Sequence, residues 1–242
     1  MLIKCKAIVI NTVNYSESSV VLKCFTDLQG VQSYMVNGVR SKKGSIKPSQ
    51  LMPLSLLELE VYHQPQKNLQ RIKELKCSPQ LKTIHFDLVK STIGIFVAEL
   101  IHKTVKEDNH TDIPLFTFLY NSIQILDLQD DKVSNFPLFF LLQLSKYLGF
   151  YPKGNYTQTT NGFDFREGVF ELYNEQNTFQ LSPELSECIS RLLLCDATHF
   201  QEITLTQIQR STLLEVMIDY YKQHVSGFLE LKSPKILSEI LA

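Results

Sequence analysis

Ala7-Ile8-Val9-Ile10-Asn11-Thr12-Val13 is followed, across the polar break 14–19, by Val20-Val21-Leu22-Lys23-Cys24-Phe25-Thr26. Asp27-Leu28-Gln29-Gly30 and Val31-Gln32-Ser33-Tyr34-Met35-Val36 come next. Three runs rich in β-branched and aromatic residues, separated by polar turns, read as three strands. Asp27 to Gly30 has turn chemistry, with glycine free to take positive φ. Outward from this stretch, Asn37-Gly38 begins a loop that runs to Gln50, and Leu54–Tyr62 and Leu69–Leu75 supply two further strands. Five short strands in about 75 residues fit a small closed barrel of the OB type.

After Ser78-Pro79 the apolar period changes from two to near 3.6. Phe86, Val89, Ile93, Phe96, Val97, Leu100 and Ile101 make one stripe, which predicts a helix over 83–106. Leu115, Leu119, Ile123 and Leu126 repeat the pattern in a second helix. Ser134-Asn135-Phe136-Pro137 opens a third that ends at Leu148 and Gly149. Ser182-Pro183 starts a fourth helix running to Leu194, because serine caps and proline suits the first helical position. A long helix spans about Leu205 to His224, and a short capped turn begins at Ser233-Pro234. Between the third and fourth helices, Phe163-Asp164-Phe165-Arg166-Glu167-Gly168-Val169-Phe170 alternates as a small hairpin turning at Glu167-Gly168. The predicted fold class is therefore α+β: an N-terminal five-stranded OB-type β-barrel at 1–80, then a mainly helical domain at 81–242 with a β-hairpin insertion at about 153–180.

The net charge of −1 conceals an asymmetry. Residues 1–80 hold 11 Lys+Arg against 5 Asp+Glu, a net of +6; the remainder holds 13 against 20, a net of −7. The first part suits a polyanion and the second does not over most of its surface. The chain opens without the apolar h-region and cleavage site of a signal peptide. Its most apolar stretch, Phe136–Leu144, falls short of the roughly 18 residues a spanning helix needs. These features predict a soluble, cytoplasmic protein without a membrane.

Cys5, Cys24, Cys77, Cys188 and Cys195 are odd in number and scattered, with no Cys-x-x-Cys, which argues against a disulfide framework and a structural zinc site. No glycine-rich phosphate loop, nucleophile elbow or His-Glu-x-x-His is present, and the six histidines do not pair at ligand spacing. The expectation is a protein without a catalytic centre, cofactor, metal or small-molecule substrate.

The segment with chemical content is Gly38-Val39-Arg40-Ser41-Lys42-Lys43-Gly44-Ser45-Ile46-Lys47, with four cations in eight residues. Such density is what phosphate neutralisation requires; it also serves a merely solvated loop. Trp is absent, so Phe25 and Tyr34 on the flanking strands are the candidate stacking rings for unpaired bases. The same rings can instead be barrel core, the reading the residues favour, because alternation does not decide which face is inward.

Read together, these residues resemble the bacterial recombination mediator family RecO. The similarity is carried by Ala7-Ile8-Val9-Ile10 with Tyr15-Ser16-Glu17-Ser18, and by Phe25-Thr26-Asp27-Leu28-Gln29-Gly30. It continues through Val36-Asn37-Gly38-Val39-Arg40-Ser41, Leu51-Met52-Pro53-Leu54 to Leu59-Glu60, and Tyr147-Leu148-Gly149-Phe150-Tyr151-Pro152. The resemblance implies a nucleoid-associated protein of DNA repair and homologous recombination. Such a protein binds single- and double-stranded DNA, anneals strands, and helps RecR load the RecA recombinase on DNA coated by single-strand-binding protein. By this carry-over Arg40, Lys42, Lys43 and Lys47 are the DNA contacts. Many relatives place a four-cysteine zinc module after the Leu-Gly-Phe-x-Pro stretch. Here 154–172 contains no cysteine, so the hairpin must rest on packing of Phe163, Phe165, Val169 and Phe170.

The family also docks the acidic C-terminal tail of single-strand-binding protein on its helical part. Leu213, Leu214, Val216, Met217, Tyr220 and Tyr221 crowd the last long helix, with Arg210 one turn before and Lys222 at its end. Arg210, Met217, Tyr221 and Lys222 thus form a candidate groove for an acidic apolar peptide, or ordinary core with charged ends. Two further readings stay open: a helical interaction scaffold whose barrel binds protein, and an OB-fold protein of RNA metabolism.

Overall fold

A computed structural model describes residues 1–39, 46–106 and 110–241. Arg40, Lys42 and Lys43 lie outside the described residues.

The described residues form two compact units, Met1–Leu128 and Gln129–Ala242. The first begins with β1 (Leu2–Asn14), β2 (Val20–Thr26), β3 (Gly30–Val36), β4 (Leu56–Tyr62) and β5 (Leu69–Cys77). They close into a barrel in the order β1-β2-β3-β5-β4. β1 starts five residues before the predicted Ala7, because one long strand serves two neighbours. Its first half, Leu2–Ile8, pairs antiparallel with β4, and its second half, Ala7–Asn14, pairs with β2. The ladder shifts between Val9 and Asn11, the bulge that lets one strand turn a barrel corner. β3 and β5 complete the closure in parallel, Ser33 opposite Leu69 and Met35 opposite Arg71.

The barrel interior holds Cys5, Ala7, Val9, Leu22, Cys24, Tyr34, Val36, Leu57, Leu59 and Val61. Alternation along each strand therefore places Lys4 and Lys6 of β1, Lys23 of β2 and Glu58 and Glu60 of β4 on the outside. Burial pushes the Cys5 thiol up to about 11, and drives that of Cys24 higher still. Both thiols are unreactive core groups.

The predicted boundary at 80/81 marks the change from strand to helix, but the compact unit continues to Leu128. α1 (Leu88–Thr104) lies against β1, and α2 (Ile113–Leu128) brings Phe116 to 5.8 Å from Phe25. These contacts with β1 and with Phe25 place both helices in the first compact unit.

The second unit contains α3 (Phe136–Tyr147), which is buried almost throughout, and a three-stranded sheet. The sheet consists of β6 (Gly162–Asp164), β7 (Val169–Glu171) and β8 (Gln180–Leu181), ordered β7-β6-β8. It also contains α4 (Pro183–Leu194), α5 (Gln207–His224) and α6 (Ser233–Ile240). The hairpin turns at Gly168 as expected, with φ +70 and its N–H donating to the Asp164 carbonyl at 2.8 Å. β8 adds to the predicted hairpin; two residues are too few to carry an alternation. Phe163 and Phe170 lie 5.0 Å apart and Phe165 and Phe179 5.8 Å apart. Asp164 is buried, its carboxylate accepting from the Arg166 and Glu167 backbone and from Asn177 Nδ2. Aromatic packing and one saturated carboxylate hold this insertion together. Among the described residues no helix is long and apolar enough to cross a membrane, and no three His, Cys, Asp or Glu cluster as a metal site.

Candidate nucleic-acid interface

The outer surface of the barrel divides by charge. Across β1, β4 and β5 the register sets Lys6 opposite Glu58 and Glu58 opposite Lys76, with Lys4 opposite Glu60 and Glu60 opposite Glu74. Lys73 Nζ is 3.2 Å from Glu60 Oε1, and Asp27 accepts from the Lys6 backbone at 2.9 Å. Lys4, Lys6, Lys73 and Lys76 thus face Asp27, Glu58, Glu60 and Glu74 on one self-neutralising surface. Removing these eight from residues 1–80 leaves Lys23, Arg40, Lys42, Lys43, Lys47, Lys67 and Arg71 against Glu17 alone. The net charge of +6 is therefore carried by residues other than these eight; Lys23, Lys47, Lys67 and Arg71 are the cations of that surplus among the described residues.

Part of that excess falls on the outer face of β2, β3 and β5. Val21 pairs with Met35, and Met35 with Arg71; one row over, Lys23 pairs with Ser33, and Ser33 with Leu69. Arg71 also lies opposite Tyr62, half of whose surface is exposed. This face therefore offers cations and short apolar patches, with one accessible ring at its border on β4, which is the chemistry of a single-strand platform.

The cationic loop is pinned at both feet beside this face. Val39 N–H donates to the Ser18 carbonyl at 2.9 Å and Ser19 Oγ donates to Asn37 Oδ1 at 3.1 Å, tying its start to the β1–β2 turn. Its far end is a 3-10 turn at Pro48–Leu51, where Leu51 enters the barrel core and its carbonyl accepts from Thr12 Oγ1 at 2.7 Å. Lys47 is exposed at the start of that turn.

The two rings expected to stack are corrected. Tyr34 is 1% exposed inside the barrel, where its hydroxyl meets the Cys5 thiol. Phe25 points out of the barrel, out of phase with Leu22 and Cys24, yet is 2% exposed because Phe116 of α2 covers it. Neither presents a face to a base. Sequence reasoning missed Tyr62, Lys23 and Arg71, although alternation with the apolar residues Val61, Leu22 and Cys24 is a signal that places Tyr62 and Lys23 outside.

The peptide-docking set is likewise dispersed. Met217 and Tyr221 are fully buried, and the Tyr221 hydroxyl donates to the Leu141 carbonyl at 2.7 Å, so both belong to the α3–α5 core. Lys222 is exposed and pairs with Asp219 at 2.8 Å on its own helix. Arg210 differs. It donates to the Leu205 carbonyl at 3.1 Å, and its buried Nε has no acceptor among the described residues. It borders a shallow apolar cleft with Pro137, Leu138, Leu214 and Leu237.

The strand order and closure define an OB-type barrel protein with a helical continuation. Residues 1–80 match the N-terminal and residues 85–234 the C-terminal model of recombination protein O, so the chain belongs to the RecO family. Proteins curated as DNA repair protein RecO from Flavobacterium johnsoniae and Flavobacterium psychrophilum are 38% and 36% identical to it. Each alignment runs over 243 residues and covers the whole of both chains. That of Phocaeicola vulgatus is 34% identical over 242 residues, again covering both chains fully.

Proposed function

We propose that this chain is a non-catalytic mediator of DNA repair and recombination. It binds single-stranded DNA on the β2/β3/β5 face and cationic loop, anneals complementary strands, and helps load recombinase on DNA coated by single-strand-binding protein. Family membership supports the repair role, and one observation carries the location: the eight charges ranged across β1, β4 and β5 cancel, while Lys23 and Arg71 stand in the outer rows of β2, β3 and β5. Lys23, Lys47 and Arg71 neutralise phosphates together with Arg40, Lys42 and Lys43, and Tyr62 stacks on a base. RecR and the acidic tail of single-strand-binding protein are the expected protein partners. For the tail, the Arg210 cleft is the better seat, since it pairs an under-satisfied cation with apolar walls and the Met217–Tyr221 stripe is core.

Fluorescence anisotropy of a labelled oligonucleotide across a salt series tests the location. Lys23→Ala with Arg71→Ala weakens binding and flattens the salt slope by roughly 0.7 for each phosphate no longer neutralised. Lys4→Ala with Lys76→Ala leaves affinity unchanged. Equal effects from both pairs overturn the assignment of the face. Absence of DNA binding by the unmodified chain favours a protein-binding barrel, and preference for RNA of the same sequence favours a role in RNA metabolism.

A further inference from the structure

Beside the β3–β5 seam lies a polar cleft of about 410 Å³, within the size range of small-molecule sites. Its walls are two loops, 27–29 between β2 and β3 and 63–68 between β4 and β5, and both are held by side chains from below. Gln70 is 2% exposed. Its amide nitrogen donates to the carbonyls of Gln64 and Lys67, and its oxygen accepts from Gln64 N–H at 2.9 Å, so one buried amide fixes the 63–68 loop. On the opposite wall Thr26 Oγ1 donates to the Gly30 carbonyl at 2.9 Å and accepts from Gln29 N–H at 3.0 Å. Gln32 Nε2 donates to the Gln29 carbonyl, also at 3.0 Å. Both walls are therefore preformed, and a ligand entering between them meets little ordering cost.

The lining chemistry selects the ligand. Ser33, His63 and Asn68 supply hydroxyl, imidazole and amide groups, which both donate and accept, while Pro65 and Val31 supply apolar surface. Among the described residues that line it, Lys67 alone carries a fixed positive charge, which is too little for a phosphate cradle. Mixed donors and acceptors between flat apolar flanks match the edge and face of a nucleobase. The position agrees: Ser33 is the strand neighbour of Lys23 and Leu69, and Tyr62 precedes the loop directly.

We propose that this cleft seats a single unstacked base of the bound strand, its hydrogen-bonding edge toward Ser33 and Asn68 and its phosphates left to Lys23 and Arg71. The inference rests on the DNA-binding reading above and adds a base-dependent contact to an otherwise sequence-blind, electrostatic one.

The test compares an intact single-stranded oligonucleotide with a fully abasic strand of equal length, using anisotropy on the full chain. Ser33→Ala combined with Asn68→Ala lowers affinity for the intact strand about tenfold and leaves the abasic strand unchanged. Arg71→Ala weakens both. Thermal melting verifies that the substitutions at half-buried Ser33 and exposed Asn68 leave the barrel folded, and Asn68→Ala alone repeats the measurement if the double variant melts early. A double variant that binds both strands like the unmodified chain, or weakens by the same factor on both, overturns the base seat while leaving the phosphate face standing. An unmodified chain that binds neither strand overturns both.

Discussion

Thr83 is clasped to Asp127 across 44 residues of chain: its backbone N–H donates to Asp127 Oδ1 at 2.8 Å, and its hydroxyl donates to the Asp127 main-chain oxygen at 2.6 Å. The N–H groups of Lys82 and Ile84 converge on the same carboxylate, so three successive amides wrap one anion. Buried Lys90 closes the arrangement, its Nζ donating to Thr83 Oγ1 at 2.7 Å and to the Asp127 carbonyl at 3.0 Å. The last turn of α2 is thereby fastened to the segment that leads from the barrel into α1.

That clasp predicts an acid-dependent stability. Desolvation raises the Asp127 carboxyl, but the hydrogen bonds from Ile84, Lys82 and Thr83 outweigh it and hold the group below its ordinary value. A carboxyl depressed in the folded state stabilises above its unfolded pKa, and that contribution is lost as pH falls through the folded value. Asp127→Asn is expected to cost about 1–3 kcal/mol at neutral pH, because an amide cannot accept from all three N–H groups. Urea titrations at pH 7 and pH 3 check it: the gap between parent and variant narrows in acid, and a constant gap contradicts the assignment.

Gly168 predicts a steric coupling in the second unit. Its φ is +70, and a Cβ there would lie 2.7 Å from the Tyr220 hydroxyl oxygen, which itself donates to the Phe150 carbonyl. Gly168→Ala lowers stability by about 2 kcal/mol or more, combining left-handed strain with overpacking. Combined with Tyr220→Phe, the loss is smaller than the sum of the single changes. Strict additivity in denaturant unfolding would show that the ring moves aside freely.

The insertion predicts independence from metal. Phe163 is fully buried against Phe170 and Tyr220, with ring centroids at 5.0 and 6.0 Å. Phe163→Ala costs about 3–5 kcal/mol, whereas a strong chelator leaves the melting temperature unchanged. A chelator-induced drop in Tm, with zinc found by elemental analysis, reverses this picture.

Tyr62 predicts a distinction between single and double strands. Tyr62→Ala weakens single-strand binding by about 1–3 kcal/mol, the range for one stacked base, and Tyr62→Phe retains it. Duplex affinity stays the same, since paired bases offer no free face. Equal weakening on both substrates removes stacking from the account.

The residues that act locally are legible in the sequence, and those whose role depends on a distant partner are not. Gly168 as the hairpin turn, Ser182 as a helix cap and the five strands all follow from chemistry within a few neighbours. Phe25 defeats the same reasoning. Alternation leaves its face undecided, and only Phe116, 91 positions further on, explains how a ring outside the barrel core is dry. Tyr221 reads as available for a partner because α5 carries more apolar residues than one stripe holds; α3 covers the excess, and the hydroxyl finds its acceptor 80 residues away. Asp127 is an ordinary acid near a helix end until Lys82, Thr83 and Ile84 fold around it. The charge ladder lies between these cases. Each Lys and Glu is visible, but the cancellation exists only through the β1–β4–β5 register.

That cancellation leaves the surplus charge of the barrel to other positions, Lys23, Lys47, Lys67 and Arg71 among the described residues, so its charge is unevenly spread rather than uniform. With the eight ladder charges summing to zero, a polyanion approaching an unevenly charged barrel would exert a torque as well as an attraction. On the proposed DNA-binding reading, the barrel turns its cationic side toward the strand before touching it, so encounters that begin in the wrong orientation are corrected in flight instead of by dissociation and retry. Screening shortens the range of that torque to about 8 Å at physiological ionic strength, which makes the capture rate, and not only the lifetime of the complex, a function of salt.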